Sequence, residues 1–396
     1  MPMLAPTTSA ELADAIAGAA ADGTRLEIRG GGSKAGVGTG GRQTAVLDMR
    51  GFAGIIDYDP AELVLTVGAG TPLAEVETLV AAHGQMLAFE PFDHGPLFGR
   101  PVGAATIGGI VAAGVAGSRR PVMGGVRDHL LRFEGVSGRG EPFMAGAKVV
   151  KNVTGYDLPK LMCGSWGRLA ALTQVTLKVL PAPRETTSCL VRGLDPRQAC
   201  AVMARAMGSQ AEPSAAIHIP GRARGASLTV LRLQGFGPSV AARAALLERL
   251  LGEHVVETPD AALAEAIWGD VRTLAPMNDG RPLWRLSIAA GAAPAVIAAL
   301  EPLGAQWQMD WAGSLIWLCF DGGGELVRRT AAGAGGHAML VRDDRGVYAG
   351  MPTFQPQAAV LAALETRVRR AFDPAGVFET GRFSDLAPHL DLAHAD

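Results

Sequence analysis

Up to about residue 184, apolar positions recur in short alternating runs joined by glycine-rich loops, and beyond it such runs interleave with helical periods. Ser9 is placed to cap a helix over roughly 10–22 that Gly23 ends, and TRLEIRG then alternates as a strand. Further strands are expected at 44–48 (TAVLD) and 62–67 (ELVLTV). Thr71 as N-cap and Pro72 at the first helical position open a helix that Gly84 closes. Residues 145–181 read as a glycine-punctuated loop running into a strand, a stretch suited to laying backbone along a ligand. After 184, TSCLVRGL, SAAIHIPG and SLTVLRLQG read as strands, DPRQACAVMARAMG and PSVAARAALLERLLG as helices. A second, similar round follows in PLWRLSI, PAVIAALEPLG and SLIWLCF. Strands and amphipathic helices alternating without glycine-rich loops predict a separate α+β domain of ferredoxin-like type, although no close repeat is visible in the residues themselves. Residues 352–372 read as a final helix and the last dozen as a loose tail.

Length and composition narrow the class. At 396 residues, and roughly 150 per domain, two or three domains are expected. Hydrophobic residues make up 48% and charged residues 19%, so the chain is globular, and a net charge of −2 offers no electrostatic case for nucleic acid or acidic lipid. Cys163, Cys189, Cys200 and Cys319 lie far apart with no C-x-x-C pair, which points away from a disulfide framework and from zinc or iron–sulfur ligands, and fits a reducing cytoplasm. The first residues lack the basic start and continuous apolar core of a signal peptide. The uncharged run Pro101–Ser118 is glycine-rich and shorter than the ~20 apolar residues of a membrane helix, so it reads as a buried loop.

The glycine loops carry the chemistry. Strand followed by Arg29-Gly30-Gly31-Gly32-Ser33-Lys34 sets successive backbone N–H groups at a tight turn without Cβ atoms, an arrangement that holds a diphosphate, with Lys34 adding charge. The alternative is a plain turn between strands. Neither a Walker loop nor a full Rossmann fingerprint is present. The second loop runs through Thr106, Ile107, Gly108, Gly109, Gly114 and Gly117 to Arg119 and Arg120. Its small residues let backbone approach a flat ring, and its arginines supply planar donors for phosphate or carboxylate, with surface salt bridges as their alternative. Arg127 and Asp128 read as a structural pair.

RGGGSK, then TIGGIVAAGVAGSRRPVMGGVRDHLL, then VVKNVTGYDLPKLMCGSWGRLAALTQVTLKVLP resemble, in order and spacing, the FAD-binding domain of the vanillyl-alcohol-oxidase/PCMH superfamily. Within it they are most similar to the FAD-binding subunits of glycolate oxidases and their D-lactate dehydrogenase relatives. The resemblance covers about 1–182, and FDPAGVF at 372–378 looks like the family's C-terminal return to the flavin domain. It implies an α+β protein with a two-subdomain FAD-binding domain over 1–182, a ferredoxin-like cap over 183–345 and a C-terminal helical segment over 346–396. Carried over, Arg29 to Lys34 would bind the pyrophosphate. Thr106 to Gly109 and the loop through Arg120 would lie along the flavin. Val149 to Asp157 (with Val149, Gly155 and Tyr156) and Gly164 to Ala170 (with Gly164, Ser165, Gly167 and Leu169) would complete the cleft. Covalent flavin binders often carry His after the glycines, and Ser33 here implies a non-covalent FAD.

The departures also count. Where catalytic relatives read G-S-E-G-T-L-G, this chain has Gly164-Ser165-Trp166-Gly167-Arg168-Leu169-Ala170, and Phe378 to Arg382 stand where relatives usually have Asn-Pro-Gly. No H-x-G-D-G-N-x-H stretch of the kind that supplies bases and metal ligands is present, and no metal is expected. Oxidising a 2-hydroxy acid needs a base for the hydroxyl proton and a cation for the carboxylate. His94, His129 and His337 are the candidates for the base, and the cap shows no legible anchor. The resemblance therefore implies an FAD-binding subunit of a multi-subunit 2-hydroxy-acid (glycolate) dehydrogenase, working beside a catalytic flavoprotein subunit and an iron–sulfur subunit. Such a subunit would be cytoplasmic, with any place on the inner membrane set by its partners. A self-sufficient D-2-hydroxy-acid dehydrogenase and a non-catalytic flavoprotein scaffold remain open.

Overall fold

The computed structural model describes residues 3–38, 44–148, 156–221 and 225–383. In the first lobe, helix α1 (Ser9–Asp22) buries Leu12, Ile16 and Ala19 against strands β1 (Leu26–Arg29) and β2 (Ala45–Asp48), which pair in parallel. The N-cap of α1 is Thr8 and not Ser9. The Thr8 hydroxyl takes the Glu11 amide at 3.2 Å while the Glu11 carboxylate reaches back to the Thr8 amide at 3.3 Å, a reciprocal box that Ser9 is one residue too late to form.

A second lobe follows: β3 (Ile55–Asp59), β4 (Val64–Gly68), helices α2 (Leu73–Ala82) and α3 (Ile107–Ala113), then β5 (Leu130–Ser137), β6 (Pro142–Gly146) and β7 (Ala170–Lys178). The five strands form an antiparallel sheet in the order β3-β4-β7-β5-β6. Thr71 does not cap α2. Its hydroxyl donates to the Gly68 carbonyl at 2.7 Å and takes the Gly54 amide at 2.9 Å, so it ties the end of β4 to the neighbouring turn while α2 starts behind Pro72. Thr106, Gly108 and Gly109 are not in a loop but in the cap and first turn of α3, since residues 107–113 bury Ile107, Ile110 and Val111, and the loop begins only at Gly114.

The third unit is one antiparallel sheet of seven strands: β8 (Glu185–Arg192), α4 (Pro196–Met207), β9 (Ala215–Ile219), β10 (Leu228–Gly235), α5 (Gly237–Leu250), α6 (Ala261–Thr273), β11 (Leu283–Ser287), α7 (Ala293–Leu300), β12 (Gln306–Asp310), β13 (Leu315–Cys319), α8 (Gly324–Gly333) and β14 (His337–Arg342). Its order, β8-β10-β9-β12-β13-β11-β14, resolves into two ferredoxin-like βαββ units set edge to edge through β9 and β12. The second unit is complete. In the first, the place of a fourth strand beside β8 is taken by a single bridge from Leu190 to Glu257.

Alternation along these strands sorts two faces. Trp284, Leu286, Ile316, Leu318, Ala338 and Leu340 pack under α4, α5, α7 and α8, whereas Leu283, Leu315, Trp317, Cys319, Met339 and Val341 join one core with the second lobe. After β14 the chain forms α9 (Ala359–Phe372) and returns to the first lobe, where Val377 and Phe378 are buried beside Leu12, Ile16, Leu26 and Leu47. The Asp373 carboxylate fastens this return by accepting the amides of Val377 and Phe378, each at 2.8 Å.

Candidate active site

Strand β1 delivers the chain into the turn at Gly30–Lys34, which lines a narrow cleft between the first two lobes. The amides of Gly31, Gly32, Ser33 and Lys34 have no acceptor among the described residues, so four donors face space that an anion can fill. Gly32 sits at φ 78°, a left-handed angle that glycine adopts without Cβ strain. Lys34 adds an ammonium whose pKa burial lowers to about 8, with the charge of Asp93 pulling the other way. Arg29 also lines the cleft, but its guanidinium is bound to Glu27 at 2.9 Å. The far wall is Thr106, Gly108 and Gly109 at the start of α3, with Trp166 and Gly167, and the return segment contributes Phe378, Thr380, Arg382 and Phe383. Unpaired amides, a partly buried cation and facing glycines suit a dinucleotide carrying a diphosphate.

Trp166 also borders a second cavity of about 840 Å³, bounded by the loop Ala113–Ala116, the inner face of the cap sheet and α9. Three polar groups matter there. His94 stacks on Phe92 at 4.4 Å between centroids, and its Nδ1 is buried with no hydrogen-bond partner among the described residues. Burial, and then the charge of Lys34, push its pKa well below the ordinary imidazole value, so the ring is neutral. Arg285, from β11, forms no ion pair among the described residues; its Nη1 donates to the Ser287 hydroxyl at 3.3 Å. Burial, and then the charge of Arg120, bring its pKa down to about 10, so it is still a cation at neutral pH. His337, at the solvent edge, is also shifted down, chiefly by burial and then by Arg285.

The remaining sequence candidates lie elsewhere. Gly114 and Gly164 line the larger cavity. Ile107 and Leu169 are core residues, and Ser165 lines neither space but accepts Arg168 Nε on its carbonyl at 3.2 Å. Gly117 borders a smaller recess behind Phe92 and Trp317. Arg119 and Arg120 stand at the seam with the cap: Arg119 Nε donates to Gln234 at 3.0 Å, and the Arg120 guanidinium lies 4.4 Å from the Trp311 ring centroid. His129 is buried away from both spaces with Nε2 2.8 Å from the Met123 carbonyl. Tyr156 is exposed at the surface. Val149 and Gly155 lie outside the described residues.

An FAD binding domain family matches residues 2–146. Over 379 residues the chain is 37% identical to glycolate oxidase subunit GlcE of Escherichia coli (strain K12), spanning 94% of this chain and 97% of that protein. The chain belongs to the GlcE family. FAD is its cofactor. A D-lactate dehydrogenase of Archaeoglobus fulgidus is 32% identical over 132 residues, which are 33% of this chain but 28% of that enzyme. An alkyldihydroxyacetonephosphate synthase structure superposes with a TM-score of 0.64 at 15% identity, covering 95% of this chain and 76% of the other, and so shows the shared PCMH-type fold. In this GlcE relative, two features of the site escape sequence reading. Arg285 in PLWRLSI looks like an outward-facing strand residue until the sheet is known to rest on the second lobe. The return-segment wall was signalled only by FDPAGVF.

Proposed function

We propose that this chain is an FAD-carrying subunit of an assembly that oxidises small 2-hydroxy acids, with the acid bound in the cavity between the flavin lobes and the cap. The observation that carries this reading is that one cavity is lined both by a guanidinium with no ion pair among the described residues and by a neutral imidazole. A planar guanidinium matches the two oxygens of a carboxylate, and only a neutral imidazole has a lone pair to receive the hydroxyl proton. Arg285 would hold the carboxylate and the His94 imidazole would take the proton, with His337 at the solvent side. Bound FAD supplies the two-electron acceptor, held by the amides of Gly31–Lys34 and the Lys34 ammonium without a covalent link, since Ser33 offers no imidazole.

The name of the Escherichia coli relative, a subunit of glycolate oxidase, supports glycolate as the first acid to try and a multi-chain assembly. Onward transfer to a partner bearing an iron–sulfur centre belongs to the same proposal. A reading as a self-sufficient dehydrogenase is favoured by the fact that anchor, imidazole and cofactor cleft all lie within one chain. An anaerobic absorbance titration of the purified FAD-loaded chain separates the two. Flavin bands bleached by glycolate or D-lactate alone establish the self-sufficient enzyme. Bands that bleach only after partner chains are added establish the subunit, and bands that never bleach overturn both.

A further inference from the structure

Among the described residues no carboxylate pairs directly with Arg285; the charge of Asp310 is felt by the guanidinium but does not hold it in an ion pair, and a second contact orients it. Its guanidinium carbon lies 5.0 Å from the centroid of the Trp311 ring, and Arg120, from the flavin-side loop, approaches the same ring at 4.4 Å. Trp311 is buried and fixed at three points. Its Nε1 donates to the Gly117 carbonyl at 2.9 Å, its amide donates to Asp310 Oδ1 at 2.6 Å, and its carbonyl accepts the Ser314 hydroxyl at 2.8 Å. Asp310 is itself tied across the seam, with Oδ2 accepting the Ser118 hydroxyl at 2.7 Å. The backbone departs from the usual regions here: Trp311 and Ala312, neither of them glycine, hold φ of 49° and 55°. Two successive left-handed residues persist only where their surroundings over-determine them, and such places cluster at working sites.

We propose that Trp311 is a positioning residue: its indole face sets the Arg285 guanidinium against the cavity, and its N–H bond to Gly117 links that anchor to the loop along the flavin side. This rests on the reading of Arg285 as a carboxylate anchor. A guanidinium on an indole face keeps its in-plane N–H donors free for a bidentate anion, which a salt bridge would not. Because the ring is held by the Gly117 carbonyl, a shift of the loop Gly114–Arg120 moves the anchor with it. Acid binding and the order of that loop are thereby coupled.

The test is calorimetric titration of the FAD-loaded chain with oxalate, a dicarboxylate with no hydroxyl to oxidise, alongside steady-state rates with whichever partner chains activity requires. Arg285→Met should weaken oxalate by at least about thirtyfold, as expected for a lost charge-assisted pair. Trp311→Leu should weaken it by about tenfold and raise KM for the hydroxy acid with little change in kcat. Trp311→Phe keeps a ring but no N–H and should fall between the parent and the Leu variant, and parent-like oxalate binding in it overturns the part played by the Gly117 bond. Trp311→Met keeps apolar bulk without a π face and should resemble the Leu variant, and it serves if that variant does not fold. Unchanged oxalate binding in both Trp311→Leu and Trp311→Met, with Arg285→Met impaired, overturns the positioning role. Unchanged binding in Arg285→Met overturns instead the carboxylate-anchor reading beneath it.

Discussion

A Cβ on Gly31 would overlap the carbonyl oxygen of Ala104, so the close approach that demands glycine there is to the second lobe's own backbone. Gly31→Val should therefore displace the turn and lose FAD, read as the flavin absorbance per chain after purification; stoichiometric flavin in the variant would refute it. Lys34 allows a sharper test. With its pKa lowered to about 8 in the free chain, it is a cation at neutral pH and loses its proton as pH rises through that value. An anionic diphosphate favours the protonated form, so FAD affinity should fall by about tenfold per pH unit above the Lys34 pKa until the pKa of the bound state is reached. Fluorescence titrations near pH 7 and 9 should show this fall in the parent chain and a flat, weaker profile in Lys34→Met. At this scale the turn itself was legible, because free amides and small residues are written in RGGGSK. Arg285 and Trp311 were not, because a single Arg or Trp on a strand says nothing of what its face will rest against.

Short segments fail to announce themselves for a related reason. Strands β12 (QWQMD) and β14 (HAMLVR) were missed, since both of their faces are largely buried and their mixed residues break the alternation that marks a half-exposed strand. The return segment was glimpsed in FDPAGVF, and its consequence can be measured. Asp373→Ala removes the acceptor of two buried amides, which should cost about 2–3 kcal/mol and also weaken FAD, because Phe378, Thr380 and Arg382 line the cleft. Thr8→Ala, at the far end of α1, removes a helix cap worth about 1 kcal/mol and should lower the melting temperature while leaving FAD affinity unchanged. Equal effects of the two substitutions on FAD would mean that the return segment holds the lobe and not the cofactor.

At the scale of the molecule, cap and flavin lobes share one apolar core along the inner face of the seven-stranded sheet, and the seam carries a buried polar cluster. Glu90 binds Arg232 through both oxygens at 2.8 and 2.9 Å and accepts the Arg119 amide at 3.0 Å, and Asp310 meets Ser118 nearby. Burial raises the Asp310 carboxyl from 3.8 to about 6, with Glu90 pushing the same way and the Ser118 and Trp311 hydrogen bonds and Arg232 opposing. The folded chain thus holds this proton more tightly than the unfolded chain. The group's contribution to stability is full below about pH 4, is lost as pH rises towards 6, and stays lost above it, by roughly 1–3 kcal/mol at neutral pH. Asp310→Asn removes the charge and keeps a carbonyl for the Trp311 amide, so its melting temperature relative to the parent should be higher at pH 8 than at pH 5. A difference that does not change with pH would mean that water reaches Asp310 and that the seam is looser than its contacts imply. A difference that grows as described would identify the seam as a place where the chain accepts a buried charge to keep Trp311 aligned between the cap and the flavin-side loop.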